Sequence, residues 1–160
     1  MSSWAGPQGC SSAPSRWRRS RALSAAERAL VAGLCAVGLG DALYLTFFET
    51  SALASCAPGT MLNCAVVLTS SYSRLLGVPV SFVAALWFLA LGWTQAMPNP
   101  PRALLLLLSA VGLLGAVYFI SIELFVLKAI CSFCTLAHAV GLAAVGLTLR
   151  RIAQSAELKA

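Results

Sequence analysis

The chain has 160 residues, of which 59% are hydrophobic and only 10% are charged, and its mean hydropathy is +0.86. Soluble domains carry about 25% charged residues, so this composition excludes an ordinary soluble enzyme and indicates an integral membrane protein. The net charge of +6 does not indicate a nucleic-acid partner, because the basic residues cluster at the ends of apolar stretches, where they set membrane topology.

The chain begins with a polar segment that is rich in Ser, Pro, Gly and Arg and has no apolar periodicity. We predict that residues 1–24 form a disordered cytoplasmic tail ending in a basic cluster. Ser24 and Glu27 have the spacing of a capping box, which predicts that the first helix begins there. Residues 25–152 are predicted to form the membrane domain, and residues 153–160 a second cytoplasmic tail.

Four apolar segments follow, and each has about the 20 residues that a helix needs to cross the hydrocarbon core. They cover approximately residues 29–48, 78–97, 103–127 and 130–149. Only helices and closed barrels satisfy their backbone polar groups in lipid, and the segments show no strand alternation. The predicted fold is an all-α bundle of four transmembrane helices with an extracytoplasmic loop between helices 1 and 2. Recurring glycines in the segments predict close helix packing.

The basic residues predict the orientation of the bundle. Nine of the eleven Lys and Arg residues lie in the two tails and in the short link between the second and third segments, and only Arg74 and Lys128 lie on the other side. Positive charge favours the cytoplasm, so both termini are predicted to be cytoplasmic. The loop 49–77 and the turn near Lys128 then face the extracytoplasmic side, where disulfides persist.

Four of the six cysteines form two close pairs on that outer side. Cys56 and Cys64 lie in the long loop. Cys131 and Cys134 form a CxxC motif at the start of the fourth segment, and a helix N-terminus stabilises the thiolate of the first cysteine in such a motif. Two dithiols on one face of a membrane predict that electrons pass from an outside partner to a lipid-soluble acceptor. No metal site is predicted.

Other uses of the cysteines are possible. Static disulfides are disfavoured because a CxxC disulfide closes a very small ring and restrains the chain little. A zinc site is disfavoured because the spacing of Cys56 and Cys64 does not fit a short C-x₂₋₄-C unit. A carrier of soft metal ions remains an alternative, since thiolates bind such ions, and so does a scaffold with structural disulfides. Cys10 and Cys35 have no near neighbour and are predicted to be free thiols or packing residues.

The chain resembles the vitamin K epoxide reductase family, and most closely its bacterial members that generate disulfides. The resemblance covers about residues 29–150. It rests on the two cysteine pairs and on four further features: Ser70, six residues after Cys64; the run Leu76-Gly77-Val78-Pro79; the run Glu123-Leu124-Phe125-Val126-Leu127 ahead of the CxxC; and the run from Gly40 to Thr46.

The resemblance implies a role for each paired cysteine. Cys134 would act on a quinone, which could be menaquinone, ubiquinone or vitamin K, and Cys131 would exchange with Cys64. Cys56 would meet a thioredoxin-like partner outside the membrane. This partner would be a separate protein, since no thioredoxin-like domain is fused to the chain, and the location would be a bacterial plasma membrane. Reduction of vitamin K epoxide or vitamin K quinone, as in vertebrate members, is the alternative activity.

Three polar residues are candidates for the quinone site. Asp41 is either a proton donor or part of a helix–helix hydrogen bond. His138, which stands where vertebrate members carry tyrosine, could hydrogen-bond a quinone carbonyl or assist a thiolate, or could be structural. Ser70 either lines the pocket or only caps a short helix. No counterpart of the asparagine that vertebrate members use near the quinone is evident. The remaining polar residues are predicted to lie at the membrane surface: Glu123 and Lys128 as solvated charges, and Trp87 and Trp93 as interface anchors.

Overall fold

The computed structural model describes residues 14–48 and 63–157, and the chain folds there into a helical bundle. Five α-helices follow one another, with a two-stranded hairpin between the second and the third. Their bounds are α1 Pro14–Phe47, α2 Cys64–Leu68, β1 Arg74–Leu75, β2 Val78–Pro79, α3 Val80–Ala96, α4 Arg102–Ser121 and α5 Ser132–Glu157. Cys10 and Cys56 lie outside the described residues.

Helix α1 begins earlier than the sequence predicts. Pro14 is its first residue, a position where the missing N–H of proline costs no hydrogen bond. The stretch that follows is rich in Arg, Ala and Leu, which favour helix, so the helix continues through Ser24 instead of beginning there. The predicted start was therefore wrong, and residues 14–24 of the predicted tail are helical. At the other end of the chain, α5 continues to Glu157, beyond the predicted boundary at residue 152.

The segment before α3 contains a small hairpin that was not predicted. Arg74 pairs with Pro79 and Leu75 with Val78, antiparallel. The two residues between the strands, Leu76 and Gly77, both have positive φ, +53° and +86°, as a tight two-residue hairpin turn requires. The strands of this hairpin are too short for an alternating pattern to be visible in the sequence.

Three of the helical segments are long and apolar enough to cross a membrane, namely Ala25–Phe47, Arg102–Leu127 and Ser132–Ala156. Helix α3 is apolar but has only 17 residues, the lower end of the range of about 17–25 that can span the hydrocarbon core. Because the hairpin takes residues 78 and 79, α3 is shorter than the predicted segment. The chain is thus a helical membrane protein, and four complete spans remain a prediction.

The helices pack through small residues and two aromatic rings. Helix α1 contacts α3 and α5, and α4 contacts α5. A Cβ at Gly38 would come within 2.7 Å of Cδ1 of Phe88, so only glycine allows α1 to approach this ring. Trp87 packs edge-on against Phe88 and donates its indole N–H to the Leu108 carbonyl at 2.9 Å. Trp87 is therefore a packing residue rather than an interface anchor, whereas Trp93 is 65% exposed.

One polar cluster joins three helices at the end of the bundle where α1 enters. Arg28 of α1 donates from Nε to the Gln95 carbonyl at 2.9 Å and also hydrogen-bonds the Met97 carbonyl. Arg151 of α5 donates to Oε1 of Gln95 at 2.7 Å. The side chain of Gln95 is buried. These bonds satisfy the carbonyls at the end of α3, and they fix the end opposite the CxxC.

Candidate redox site

The CxxC motif lies at the start of α5. Cys131 immediately precedes the first helical residue, Ser132, and its carbonyl accepts the hydrogen bond from Thr135 N–H at 2.8 Å that opens the helix. Helix α4 ends in a π-helical turn, Ile122–Leu127, and Lys128 then adopts a left-handed conformation with φ +51°. This conformation reverses the chain, so that the beginning of α5 returns beside the end of α4.

The two CxxC thiols are free and hydrogen-bonded to each other. Cys131 is fully buried and Cys134 is half-buried. The Cys134 N–H points to Sγ of Cys131 over 3.4 Å. The hydrogen bond from the Cys134 thiol, helped by the backbone N–H groups of Cys134 and Phe133, lowers the pKa of Cys131, although burial and the charge of Glu123 oppose this effect. Cys131 is therefore the cysteine that is prepared as a thiolate.

The loop cysteine Cys64 lies beside Cys131. Both are fully buried, and together with Val67 and Ala129 they form one buried cluster. A backbone hydrogen bond of 3.0 Å from Asn63 N–H to the Ile130 carbonyl joins the two segments. Cys64 is in a disulfide. The structure thus brings three of the four predicted redox cysteines into one region.

Glu123 is a component of the site that sequence reasoning missed. Its side chain is only 6% exposed, so its assignment as a solvated interface charge was wrong. Oε2 accepts the backbone N–H of Cys131 at 3.4 Å, and the carboxylate also hydrogen-bonds the Cys134 thiol. The π-helical turn places the residue there, and such turns are frequent at functional sites. A carboxylate inside an apolar run ahead of a CxxC was the available signal. Lys128 is exposed, as predicted.

A cavity of about 240 Å³ opens on the other side of Cys134. It is lined mainly by apolar residues of α1, α3, α4 and α5, and Cys134 is one of its lining residues. The three polar residues predicted for a quinone site, Asp41, Ser70 and His138, all line this cavity, as does Glu123.

Asp41 and Ser70 differ in how their polar atoms are used. Oδ2 of Asp41 is buried and has no hydrogen-bond partner. A buried unpaired carboxylate oxygen is costly, so this atom is available to a group that enters the cavity. The Ser70 hydroxyl instead donates to the Val67 carbonyl at 2.8 Å, at the C-terminal end of α2. Ser70 therefore both lines the cavity and stabilises the short helix that carries Cys64.

Comparison with known families identifies the arrangement. Residues 29–149 match the vitamin K epoxide reductase family. This match covers most of the chain. The chain belongs to the vitamin K epoxide reductase family. No curated protein matches the sequence. Members of this family are membrane oxidoreductases that use a quinone or vitamin K as electron acceptor, so the chain is an oxidoreductase of the membrane.

The cavity of this vitamin K epoxide reductase family member suits a quinone. Its volume is slightly below the range of about 300–1,000 Å³ for small-molecule pockets, which fits a flat ring. Its apolar walls match the ring faces, and the unpaired Oδ2 of Asp41 and the imidazole of His138 can meet the polar ring substituents. A thiol in the wall would be in contact with such a ring, so the residues present fit the group.

Proposed function

We propose that the chain is a membrane thiol–quinone oxidoreductase that reoxidises a thioredoxin-like partner and so generates disulfides outside the cytoplasm. The observation that supports this function best is the position of the CxxC between two environments. Cys131 lies in a buried cluster with Cys64, and Cys134 lies in the wall of the cavity. A dithiol in this position can take electrons from one side and deliver them to the other.

The first exchange takes place between the loop pair and the CxxC. We infer that Cys56 is the disulfide partner of Cys64, because it is the nearest cysteine in the sequence and shares its loop. Cys56 receives electrons from the reduced partner, and the released Cys64 thiolate attacks Cys131 of the CxxC disulfide. Cys134 leaves as a thiol, and the loop cysteines reform their disulfide, so two electrons have moved inward. The free CxxC thiols and the disulfide-bonded Cys64 fit the state after this step.

The second exchange takes place within the CxxC. The bound quinone supplies an acceptor for two electrons and two protons, whether it is menaquinone, ubiquinone or vitamin K. Cys134 is the cysteine beside that acceptor, and the Cys131 thiolate would form the S–S bond with Cys134 as two electrons leave for the acceptor and Cys134 loses its proton. The lowered pKa of Cys131 favours this order, because the thiolate is the attacking form. Asp41 and His138 orient the ring from the cavity wall, and Ser70 holds the helix that carries Cys64.

The charges of the bundle support a cytoplasmic position of both termini. Arg28 and Arg151 lie together at the end of the bundle opposite the cysteines, and Arg150 is the neighbour of Arg151 on α5. Positive charge is typical of the cytoplasmic side of a membrane protein. The CxxC lies at the other end of the bundle, and would therefore face the oxidising side of a bacterial plasma membrane. The four-span topology requires α3 to cross with its 17 residues.

The test uses the purified protein without oxygen, and follows quinol formation after addition of quinone and a small dithiol. We expect Cys134→Ser and Cys131→Ser to abolish quinol formation, and Cys64→Ser to retain it. With a reduced thioredoxin-like protein as electron donor, Cys64→Ser should also be inactive. Cys35→Ser, at a buried thiol outside the site, is the matched control and should be fully active. Quinol formation that survives loss of Cys134 would refute the proposal.

Two alternative activities are separated from this proposal by experiment. A soft-metal carrier would bind metal ions through the paired cysteines, so metal uptake that depends on Cys131, in the absence of quinol formation, would favour it. Vitamin K epoxide reduction would use the same cysteines. Epoxide in place of quinone in the assay distinguishes it directly.

A further inference from the structure

Glu123 is a buried carboxylate that the thiol–disulfide exchanges described above do not use. It lies inside an apolar helical segment, where an ionisable side chain is costly and usually functional. A purely structural role would require only the hydrogen bond that it accepts from the Cys131 N–H. An uncharged side chain could accept that bond at a lower desolvation cost. The carboxylate therefore calls for a further explanation.

The Cys134 thiol lies between two acceptors. One is Sγ of Cys131, and the other is the carboxylate of Glu123. A thiol has one proton to donate, so in the reduced site this proton is shared within a cluster of two sulfurs and one carboxylate. Glu123 also lines the cavity, so its carboxylate reaches from the thiol to the space where the acceptor binds.

We propose that Glu123 is a catalytic proton acceptor, which takes the proton of the Cys134 thiol in each turnover and releases it into the cavity. The inference rests on the proposed function. Oxidation of the CxxC removes two electrons and two protons as the Cys131–Cys134 bond forms. The S–H bond of Cys134 breaks and an O–H bond forms on Glu123. The two electrons and, after release from Glu123, this proton go to the quinone. The second proton is the one that Cys131 loses when it becomes a thiolate, and it also goes to the quinone, so that quinol forms.

Other groups near the cavity do not replace Glu123 in this role. Asp41 acts on Cys134 through its charge, and its Oδ2 is buried without a hydrogen-bond partner. His138 lies one turn further along α5. The charged and titratable side chains around the cluster are Cys131, Cys134, Asp41, His138 and, at the cavity wall, Tyr72 and Arg74. Of the two carboxylates, Glu123 and Asp41, Glu123 is the one that hydrogen-bonds the reacting thiol.

The first measurement is the rate of quinol formation with a small dithiol. Glu123→Gln preserves the shape of the side chain and an oxygen for the Cys131 N–H, but it cannot take up the proton. We expect the rate to fall by about 100-fold or more, as is typical for loss of a general base. Glu123→Asp keeps a carboxylate on a shorter side chain, so its rate of quinol formation should fall less. The dependence of this rate on pH should remain that of wild type. Glu27→Gln makes the same charge change at the opposite end of the bundle and is the matched control.

The second measurement needs no quinone, so it separates this inference from the proposed function. The reduced protein is alkylated at several pH values, and each cysteine is followed by mass spectrometry. Glu123→Gln should speed the alkylation of Cys134 about tenfold near neutral pH, because the negative charge of Glu123, which also accepts the thiol hydrogen bond, disfavours the Cys134 thiolate. Cys131 should also react faster than in wild type, because the negative charge of Glu123 raises the pKa of Cys131. Cys35, a buried cysteine outside the site, should react as in wild type, whereas a folding defect would expose it as well.

The outcomes are distinct. Alkylation of Cys134 at a rate within about twofold of wild type overturns the proton-acceptor role, whatever the quinol assay shows. If wild type forms no quinol but Glu123→Gln still speeds the alkylation of Cys134 and leaves that of Cys35 unchanged, the proposed function fails and the role of Glu123 at the thiol stands. If Glu123→Gln does not fold, Glu123→Asp decides, because a carboxylate that only positions Cys131 would leave the reactivity of Cys134 unchanged when shortened.

Discussion

Two glycines on one helix allow the packing of the cavity wall to be tested. Gly112 and Gly115 are both half-buried residues of α4, and both line the cavity. A Cβ at Gly112 would overlap the Trp87 ring, with Cε2 at 2.8 Å and Cη2 at 3.0 Å from it. A Cβ at Gly115 would meet nothing within 4 Å. Gly112→Ala and Gly115→Ala therefore make the same chemical change in two different environments.

The structure sets the size of the difference in stability between the two variants. Ordinary carbon–carbon contact is about 3.5–4.0 Å, so the ring must move by about 1 Å to accept Ala at position 112. Trp87 cannot move freely, because its N–H is bonded to the Leu108 carbonyl and its ring packs on Phe88. Overpacking of this kind costs about 1–3 kcal/mol. Both variants gain about 1 kcal/mol from replacing Gly by Ala in a helix, and this gain cancels in the comparison.

The assay is thermal unfolding of both variants and wild type in one detergent, with tryptophan fluorescence as a local probe. About 1 kcal/mol shifts Tm by about 2–4 °C for a chain of this size, so Gly112→Ala should melt at least about 2 °C below Gly115→Ala. The emission of Trp87 should change only in the Gly112 variant. Equal Tm values for the two variants would refute the packing of Trp87 against α4.

Two other predictions concern the two ends of the bundle. Alkylation of Cys131 in the reduced protein should have its midpoint below the value of about 8.5 for a free thiol, because the hydrogen bond from Cys134 lowers the pKa of Cys131. The Cys131 thiolate is then present above the lowered pKa and is lost as the pH falls through it. Cys134→Ala removes the hydrogen bond and should move the midpoint of Cys131 alkylation upward. An unchanged midpoint would contradict the assignment of Cys131 as the thiolate. At the opposite end, Gln95→Ala should lower the free energy of unfolding by about 1–3 kcal/mol, since it leaves Arg151 without its acceptor. Gln154→Ala, on the exposed face of α5, should change it by less than about 0.5 kcal/mol in the same denaturation assay, and equal effects of the two would argue against the cluster.

The helical membrane architecture could be predicted because its signals are local and strong. Apolar runs of about 20 residues and the distribution of Arg and Lys depend on no tertiary contact. The limits of the helices were less predictable. The start of α1 at Pro14 and the shortening of α3 by the hairpin at Leu76 and Gly77 depend on turn geometry and on general helix propensity, which a hydropathy pattern does not contain.

The site was predicted as far as its chemistry follows from residue type. Cysteine pairs have few uses on one face of a membrane, so Cys64, Cys131 and Cys134 could be found from spacing. The position of Glu123 could not, because a carboxylate at the end of an apolar run is compatible with water as well as with burial. The π-helical turn at Ile122–Leu127 decides between the two, and nothing in the hydropathy pattern indicates such a turn. Trp87 shows the same limit, since its ring is held by Leu108 and Gly112 of a neighbouring helix.

The depth of the sulfur atoms gives the proposed relay its direction. Cys64 and Cys131 meet in a cluster at the beginning of α5, whereas Cys134 lies one turn deeper and faces the cavity. Exchange with a protein partner needs the first position, and contact with a lipid-soluble acceptor needs the second. Because the lowered pKa belongs to Cys131, the thiolate that closes the CxxC disulfide in the proposed relay lies on the side of the Cys64 cluster. A variant in which a bulky side chain at position 141 fills the cavity should therefore stop quinol formation while disulfide exchange between Cys64 and Cys131 continues.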